Sequence, residues 1–283
     1  MGQEVRVNRQ ARDVRLGVVL YRNSRRELGR LVASLGLNRR SPGVAPFEVM
    51  WLDNSPDESL RAVLAELEPG ADYRPSGGNL GFGLAHNQLM ARAFSEPGVA
   101  HYVCVNPDAV LHPDCIRELA VEAERHARTG LVEARMFPDE HPKSYHPVTH
   151  ETPWCSGCVL LITRELYEAE GGFDERFFMY CEDVDLSWRA RAAGFSTHVA
   201  PAALAHHYTV TREVSSRREQ SVRRSGALLG AKYGNAAFAN SCLMKYEELG
   251  GPPFSAPALE RPARALARVA DFSHGFDFAR GRW

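Results

Sequence analysis

Short apolar runs alternate with segments of helical spacing over the first seventy residues, and this alternation restricts the fold more than any other feature of the chain. Arg15 to Tyr21 is a β-rich apolar run of strand length and reads as a buried strand. Asn23 or Ser24 can cap the segment behind it, where Leu28, Leu31, Val32 and Leu35 recur at helical spacing. Phe47 to Leu52 repeats the strand pattern, and Leu60, Val63, Leu64 and Leu67 repeat the helical one. Strand, helix, strand, helix predicts a mostly parallel sheet with right-handed crossovers and helices on its faces. Ligands of such sheets sit at the carboxyl ends of the strands. Asp53-Asn54-Ser55-Pro56 is thereby placed at a site edge, although an Asx turn accounts for the same four residues.

The pattern continues with a short strand, Asp72 to Arg74. Gly77-Gly78-Asn79-Leu80-Gly81-Phe82-Gly83 then opens a helix carrying Leu84, Gln88, Leu89 and Ala93. These glycines either bring backbone N–H groups to an anion or form a flexible loop, and the stretch lacks the Gly-Lys-Ser/Thr of a Walker loop. His101 to Val105 is a further buried strand ending in Asn106-Pro107-Asp108, which sets Asp108 in line with Asp53. A carboxylate there can help hold Mg²⁺ or Mn²⁺ beside phosphates; Pro and Asp are equally ordinary turn residues. A helix follows through Ile116, Leu119, Ala120 and Ala123, then a strand from Gly130 to Phe137. Pro138 to Pro153 reads as a long loop of the length that can cover a substrate. Its His141, His146 and His150 match no standard ligand spacing and read as solvated. Trp154 to Ile162 runs into a strand, and Arg164 to Glu170 into a short helix.

Gly171 to Arg189 concentrates the chemistry. A Gly pair permits a tight turn, an aromatic run follows, and the acids Glu182, Asp183 and Asp185 then enter a helix that stops at Gly194. The helix dipole explains one or two acids at such an N-terminus. It does not explain acids behind an aromatic wall, where a carboxyl pKa rises and the group can serve as a base. Ser196 to Pro201 and Ala203 to Tyr208 are extended, the second carrying His206 and His207. From Ser216 the chain turns basic and helical, with Arg217, Arg218, Arg223, Arg224 and Lys232 around Leu228, Leu229 and Tyr233. A last helix is expected from Leu259 to Val269. Basic amphipathic helices lie on anionic membranes or, more often, simply face water, so the pattern leaves room for peripheral membrane contact and for pairing of two copies.

With 283 residues and a net charge of −1 the chain is not a bulk nucleic-acid binder. It contains no membrane-length apolar run, and Met1 to Asp13 lacks the apolar core of a secretory signal. A cytoplasmic protein, peripheral at most at the inner membrane face, is expected, with residues 1–13 as a loose tail. The six scattered cysteines read as reduced thiols, and Cys155-Ser156-Gly157-Cys158 as an incidental C-x-x-C.

Taken in order, Val18-Val19-Leu20-Tyr21, Asp53-Asn54-Ser55, Gly78 to Gly83 with Asn87, Asn106-Pro107-Asp108, Trp154 to Gly157, Gly171 to Arg189 and His206 resemble the family 2 inverting glycosyltransferases, in particular their rhamnosyltransferase-like branch. Gly-Gly-Phe-Asp-Glu-Arg-Phe-Phe-Met-Tyr-Cys-Glu-Asp-Val-Asp-Leu is the specific part. The resemblance implies a GT-A fold over residues 14–212, with a nucleotide-sugar half at about 14–110, an acceptor half at about 111–212 and a helical extension at 213–283. It implies Asp53 and Asn54 at the nucleotide base, and Asn79, Gly81, Phe82, Asn87 and Asn106 in the donor pocket. Asp108 and His206, the latter preferred over His207, would hold Mg²⁺ or Mn²⁺. Asn106 replaces the first acid of the usual Asp-x-Asp and is a poorer ligand. Asp183 would be the base, assisted by Glu182, with Trp154, Ser156, Gly157, Tyr180 and Asp185 at the acceptor. The implied donor is dTDP-rhamnose or a UDP-sugar, and the acceptor a glycan, a lipid-linked glycan or a small molecule. An inactive nucleotide-sugar-binding scaffold is the alternative.

Overall fold

The computed structural model describes residues 13–207 and 216–281. The expected tail before Asp13, Tyr208 and the boundary at 212/213 lie outside the described residues. The chain opens as β1 (Asp13–Leu20), α1 (Arg25–Asn38), β2 (Phe47–Asp53), α2 (Ser59–Leu67), β3 (Asp72–Pro75), α3 (Gly83–Phe94) and β4 (Val99–Val105). Ser24 caps α1 in a reciprocal capping box with Glu27, as its position predicts. After β5 (Ala109–Leu111) come α4 (Cys115–Ala123), β6 (Thr129–Phe137), β7 (Val159–Thr163), α5 (Arg164–Glu170), α6 (Glu182–Ala192) and β8 (Ser196–His207).

All eight strands form one sheet in the order β3-β2-β1-β4-β7-β6-β8-β5. β1 to β4 are mutually parallel; β7 runs antiparallel to both β4 and β6, and β6 is parallel to β8. Strands buried on both faces read as continuous apolar runs, which is why β1, β2 and β4 were legible. One core, under α1, α2 and α4, holds Leu16, Val18, Trp51 and Val103. Another, under α3, α5 and α6, holds Leu52, Tyr102, Leu160 and Ile162.

This topology brings the carboxyl ends of β2, β4, β6 and β8 to one edge. The amino ends of β7 and β5 reach the same edge because those two strands run the other way. The two extended pieces expected around Pro201 are one strand, β8, with a register shift opposite Ala134/Arg135.

The basic segment forms α7 (Ser216–Lys232), followed by α8 (Ala236–Glu248) and the short α9 (Arg264–Val269). α8 was not anticipated, although Gly234 in left-handed conformation ends α7 and the Asn235 side chain caps Phe238 N–H. The last helix starts five residues later than the leucine spacing suggested, behind Pro262, since proline disfavours helix at the residue before it. A third core, with Trp154, Phe177, Trp188, Leu229, Tyr233 and Phe278, joins α6 to this C-terminal part. Among the described residues no helix is long and apolar enough to cross a membrane.

Candidate active site

The edge defined by these strand ends collects most of the residues singled out in the sequence. At the end of β2, Asp53 is buried and its carboxylate accepts from Ser55 N–H (2.8 Å) and from the Tyr73 hydroxyl (2.7 Å). Next to it the Asn54 amide donates to the Gly81 carbonyl at 2.8 Å. Gly81 has φ +76°, and a Cβ there would lie 2.0 Å from the Phe178 carbonyl oxygen, so the position requires glycine twice over. The following N–H, of Phe82, donates to that same Phe178 oxygen. The glycine-rich loop is not slack: N–H groups of Gly78, Gly81 and Phe82 are bound to Ser76, to exposed Asn79 and to Phe178. Asn87 has a different task from the expected donor contact. Its amide both donates to and accepts from the Phe173 backbone (2.9 and 2.8 Å), fastening the Gly171–Phe173 turn to α3.

β4 ends at Val105, and Asn106 N–H donates to the Cys158 carbonyl at 2.8 Å, joining the Asn106–Asp108 turn to the segment that starts β7. Asp108 is buried. Of the two histidines at the end of β8, His207 faces it, with Nε2 3.4 Å from Asp108 Oδ2 and no hydrogen bond of its own. Adjacent strand residues point to opposite faces, and His206 pairs in register with Val110. A carboxylate and an unoccupied imidazole nitrogen on one face suit a hard or borderline divalent cation.

Across the same junction stands the N-terminus of α6. Tyr180 and Cys181 precede it at φ 71° and 66°, two left-handed non-glycine residues in succession. They turn the chain so sharply that α6 begins without a side-chain N-cap. Asp183 Oδ2 accepts from Gly157 N–H at 2.9 Å and Oδ1 from Val184 N–H at 2.8 Å. Burial pushes the Asp183 carboxyl up, while those two N–H bonds pull it back. Burial also pushes Glu182 well above the usual carboxylate range, and the neighbouring Asp183 charge pushes it further; its Oε2 is buried without a partner. Both carboxyls are raised by burial, and the Gly157 and Val184 N–H groups favour the charged form of Asp183.

Two residues expected at the acceptor face inward. Asp185 is wholly buried and is held by Arg189 (2.9 Å), Lys232 (2.6 Å) and the Tyr233 hydroxyl (3.1 Å), which leaves it no open face. Trp154 is buried too; its indole donates to the Asp277 carbonyl and its ring meets Phe278. Nor is His150 solvated: it pairs at 2.9 Å with buried Glu122, which lies within 4.8 Å of His126 and His198. That cluster sits at the amino end of β8, the far end of the strand from His207. Sequence reading missed Glu133, Lys143 and Lys232, whose partners are distant in the chain. None of the six cysteines is in a disulfide, and all are buried.

A family model described as glycosyltransferase-like family 2 matches residues 145–227, which include α6 and β8. The chain is 31% identical over 223 residues to the N-acetylglucosaminyl-diphospho-decaprenol L-rhamnosyltransferase of Mycobacterium tuberculosis, covering 64% of this chain and 71% of that protein. It is 30% identical over 200 residues to the rhamnosyltransferase WbbL of Escherichia coli, covering 57% and 73%. The chain therefore belongs to glycosyltransferase family 2. Its fold is similar to the mannosyltransferase PcManGT of Pyrobaculum calidifontis, solved with GDP-Man and Mn²⁺ (TM-score 0.55, 15% identity, 90% of this chain and 69% of that one). It is also similar to S. aureus TarS (TM-score 0.53, 17% identity, 84% of this chain), of whose length it covers 43%. The mostly parallel sheet with helices on both faces is the GT-A arrangement, and the protein is a glycosyltransferase.

Proposed function

We propose that the protein moves a hexosyl unit, with L-rhamnose from dTDP-rhamnose as first choice, to an acceptor hydroxyl by a single displacement that inverts the anomeric centre. One observation carries the reading. The Asp183 carboxylate is held by Gly157, whose neighbour Cys158 binds the Asn106–Asp108 turn, so a base and a diphosphate-side carboxylate flank one junction of β4 and β7. Asp183 takes the acceptor proton as the hydroxyl oxygen attacks, its carboxylate oriented by the Gly157 and Val184 N–H groups. General-base help of this kind contributes roughly 10²–10⁴-fold. Asp108 and His207, rather than His206, are the residues to hold Mg²⁺ or Mn²⁺; the bound ion offsets charge on the leaving diphosphate. Asp53, Asn54, Gly81 and Phe82 form the donor rim.

The acceptor side is supported by a cavity of about 380 Å³ lined by Arg135, Phe137, Pro138, Glu140 and His141 at the carboxyl end of β6. Rhamnose is favoured because the two relatives described above are named rhamnosyltransferases, and a lipid-linked glycan because the name of one of them specifies such an acceptor. Thermal-shift measurement with dTDP, UDP and GDP, each with Mg²⁺, Mn²⁺ or EDTA, tests the donor site. Ligand that binds only the folded state raises stability by RT ln(1 + [L]/Kd). A metal-dependent rise with dTDP is expected; no rise with any nucleotide would overturn the donor assignment.

A further inference from the structure

Lys143 is a lysine in a Pro- and His-rich loop, a setting in which the side chain normally reaches into water. Here it is 1% exposed. Its ammonium is 2.8 Å from Glu133 Oε2 on β6, donates to the Trp154 carbonyl, and sits 3.8 Å from the centroid of the Trp154 ring. Glu133 is equally buried, and the same Oε2 accepts from Ser156 N–H. A buried ion pair contributes little net stability against apolar packing, so its presence calls for another explanation. The geometry supplies one. Trp154 to Gly157 is pinned at every residue: Trp154 by Lys143, Cys155 N–H by Ser187 Oγ (3.0 Å), Ser156 N–H by Glu133, and Gly157 N–H by the Asp183 carboxylate. Ser187 Oγ in turn donates to the Asp183 carbonyl at 2.7 Å.

We infer that Lys143 and Glu133 are positioning residues: the pair forms a charged pedestal that fixes the Gly157 N–H, and through it the orientation of Asp183, for turnover. This rests on Asp183 being the base. The long loop 138–153 thereby reaches beneath the site. The titratable and charged groups around Asp183 are Glu182 and Asp185 on its own helix, Cys181 before it, Cys104 of β4, Glu133 of β6 and Lys143 of the loop. Burial pushes both thiols up, so they stay neutral.

The test uses the full chain and Lys143→Met. Turnover is expected to fall about 10- to 100-fold, as for a misplaced catalytic group, with donor-nucleotide affinity unchanged within about twofold on the same scale. Glu133→Gln keeps an acceptor for Ser156 but removes the negative charge. It leaves the ammonium unopposed and moves the acidic limb of the kcat–pH profile to lower pH, which a merely structural role would not do. Native turnover in Lys143→Met, or an unmoved limb in Glu133→Gln, overturns the pedestal. If Lys143→Met does not fold, the double variant Lys143→Met/Glu133→Gln removes both buried charges and gives the same reading: slow turnover with native donor affinity supports the pedestal, native turnover sinks it. Asp183→Asn run in parallel separates the two ideas: native turnover in that variant refutes the base and the pedestal with it, whereas loss of turnover there beside native turnover in Lys143→Met refutes the pedestal alone.

Discussion

The donor rim and the base helix are built on opposite principles. At the rim, Asp53 is satisfied by uncharged donors, a backbone N–H two residues away and a tyrosine hydroxyl one strand over. Its neighbours Asn54 and Gly81 are joined backbone to side chain. At the base helix two acids lie among buried charges: Asp183, itself held by the Gly157 and Val184 N–H groups, feels the Lys143 charge of the Glu133–Lys143 pair, and Asp185 is held by Arg189 and Lys232. The rim's donors are uncharged, so no buried ion pair has to be assembled there. Buried charges hold geometry tightly but fail severely when one partner goes.

Asp183→Asn gives the largest effect expected from this contrast, a loss of transfer of about 10²–10⁴-fold with donor affinity retained, read by steady-state turnover beside nucleotide binding. The native pH profile bears on the same group. The Asp183 pKa is raised in the fold, so the working carboxylate is lost as pH falls through a value above the ordinary aspartate range, and kcat should drop on that acidic side. Lys232→Met comes next. It strips a cation from Asp185 and from Asp174, whose carboxyl Lys232 and Arg176 hold well below its usual range against the pull of burial. A stability loss of about 3 kcal/mol is expected, seen as a lower denaturant midpoint. Asp53→Asn gives the smallest effect. It should weaken nucleotide binding by about tenfold, near 1.4 kcal/mol, with stability close to native, because neutral donors lose little when their acceptor loses its charge. A stability collapse in Asp53→Asn, or none in Lys232→Met, would erase the distinction between the two regions.

Legibility in the sequence divides along the same line. Strands buried on both faces announce themselves as apolar runs, and acids at strand ends or helix starts are located by position, which marks Asp53, Asp108 and Asp183 as candidates; their roles come from the family resemblance. A cap at Asn23 or Ser24 was readable from position, and the structure selects Ser24, whose Glu27 partner sits three residues on. What escaped depends on partners distant in the chain. Asn87 looks like a pocket residue until Phe173, 86 positions away, is seen in its amide. Asp185 looks like a third active-site acid until Lys232 of α7 arrives. A lysine in a loop gives no local sign that a tryptophan and a glutamate will enclose it, and two adjacent histidines on a strand cannot be told apart before the strand's facing is known.

The reach of Lys232 also bears on where this molecule can be divided. Read by motif, the functional part stops at the end of β8, and α7 to α9 resemble an appendix that could be exchanged for another. Read by charge, the seam runs elsewhere, because the cation that answers Asp174 and Asp185 lies on the far side of that cut. A graft that keeps the catalytic motifs and swaps the helices must carry an ammonium back to the same spot, or Asp174 and Asp185 are left with Arg176 and Arg189 alone.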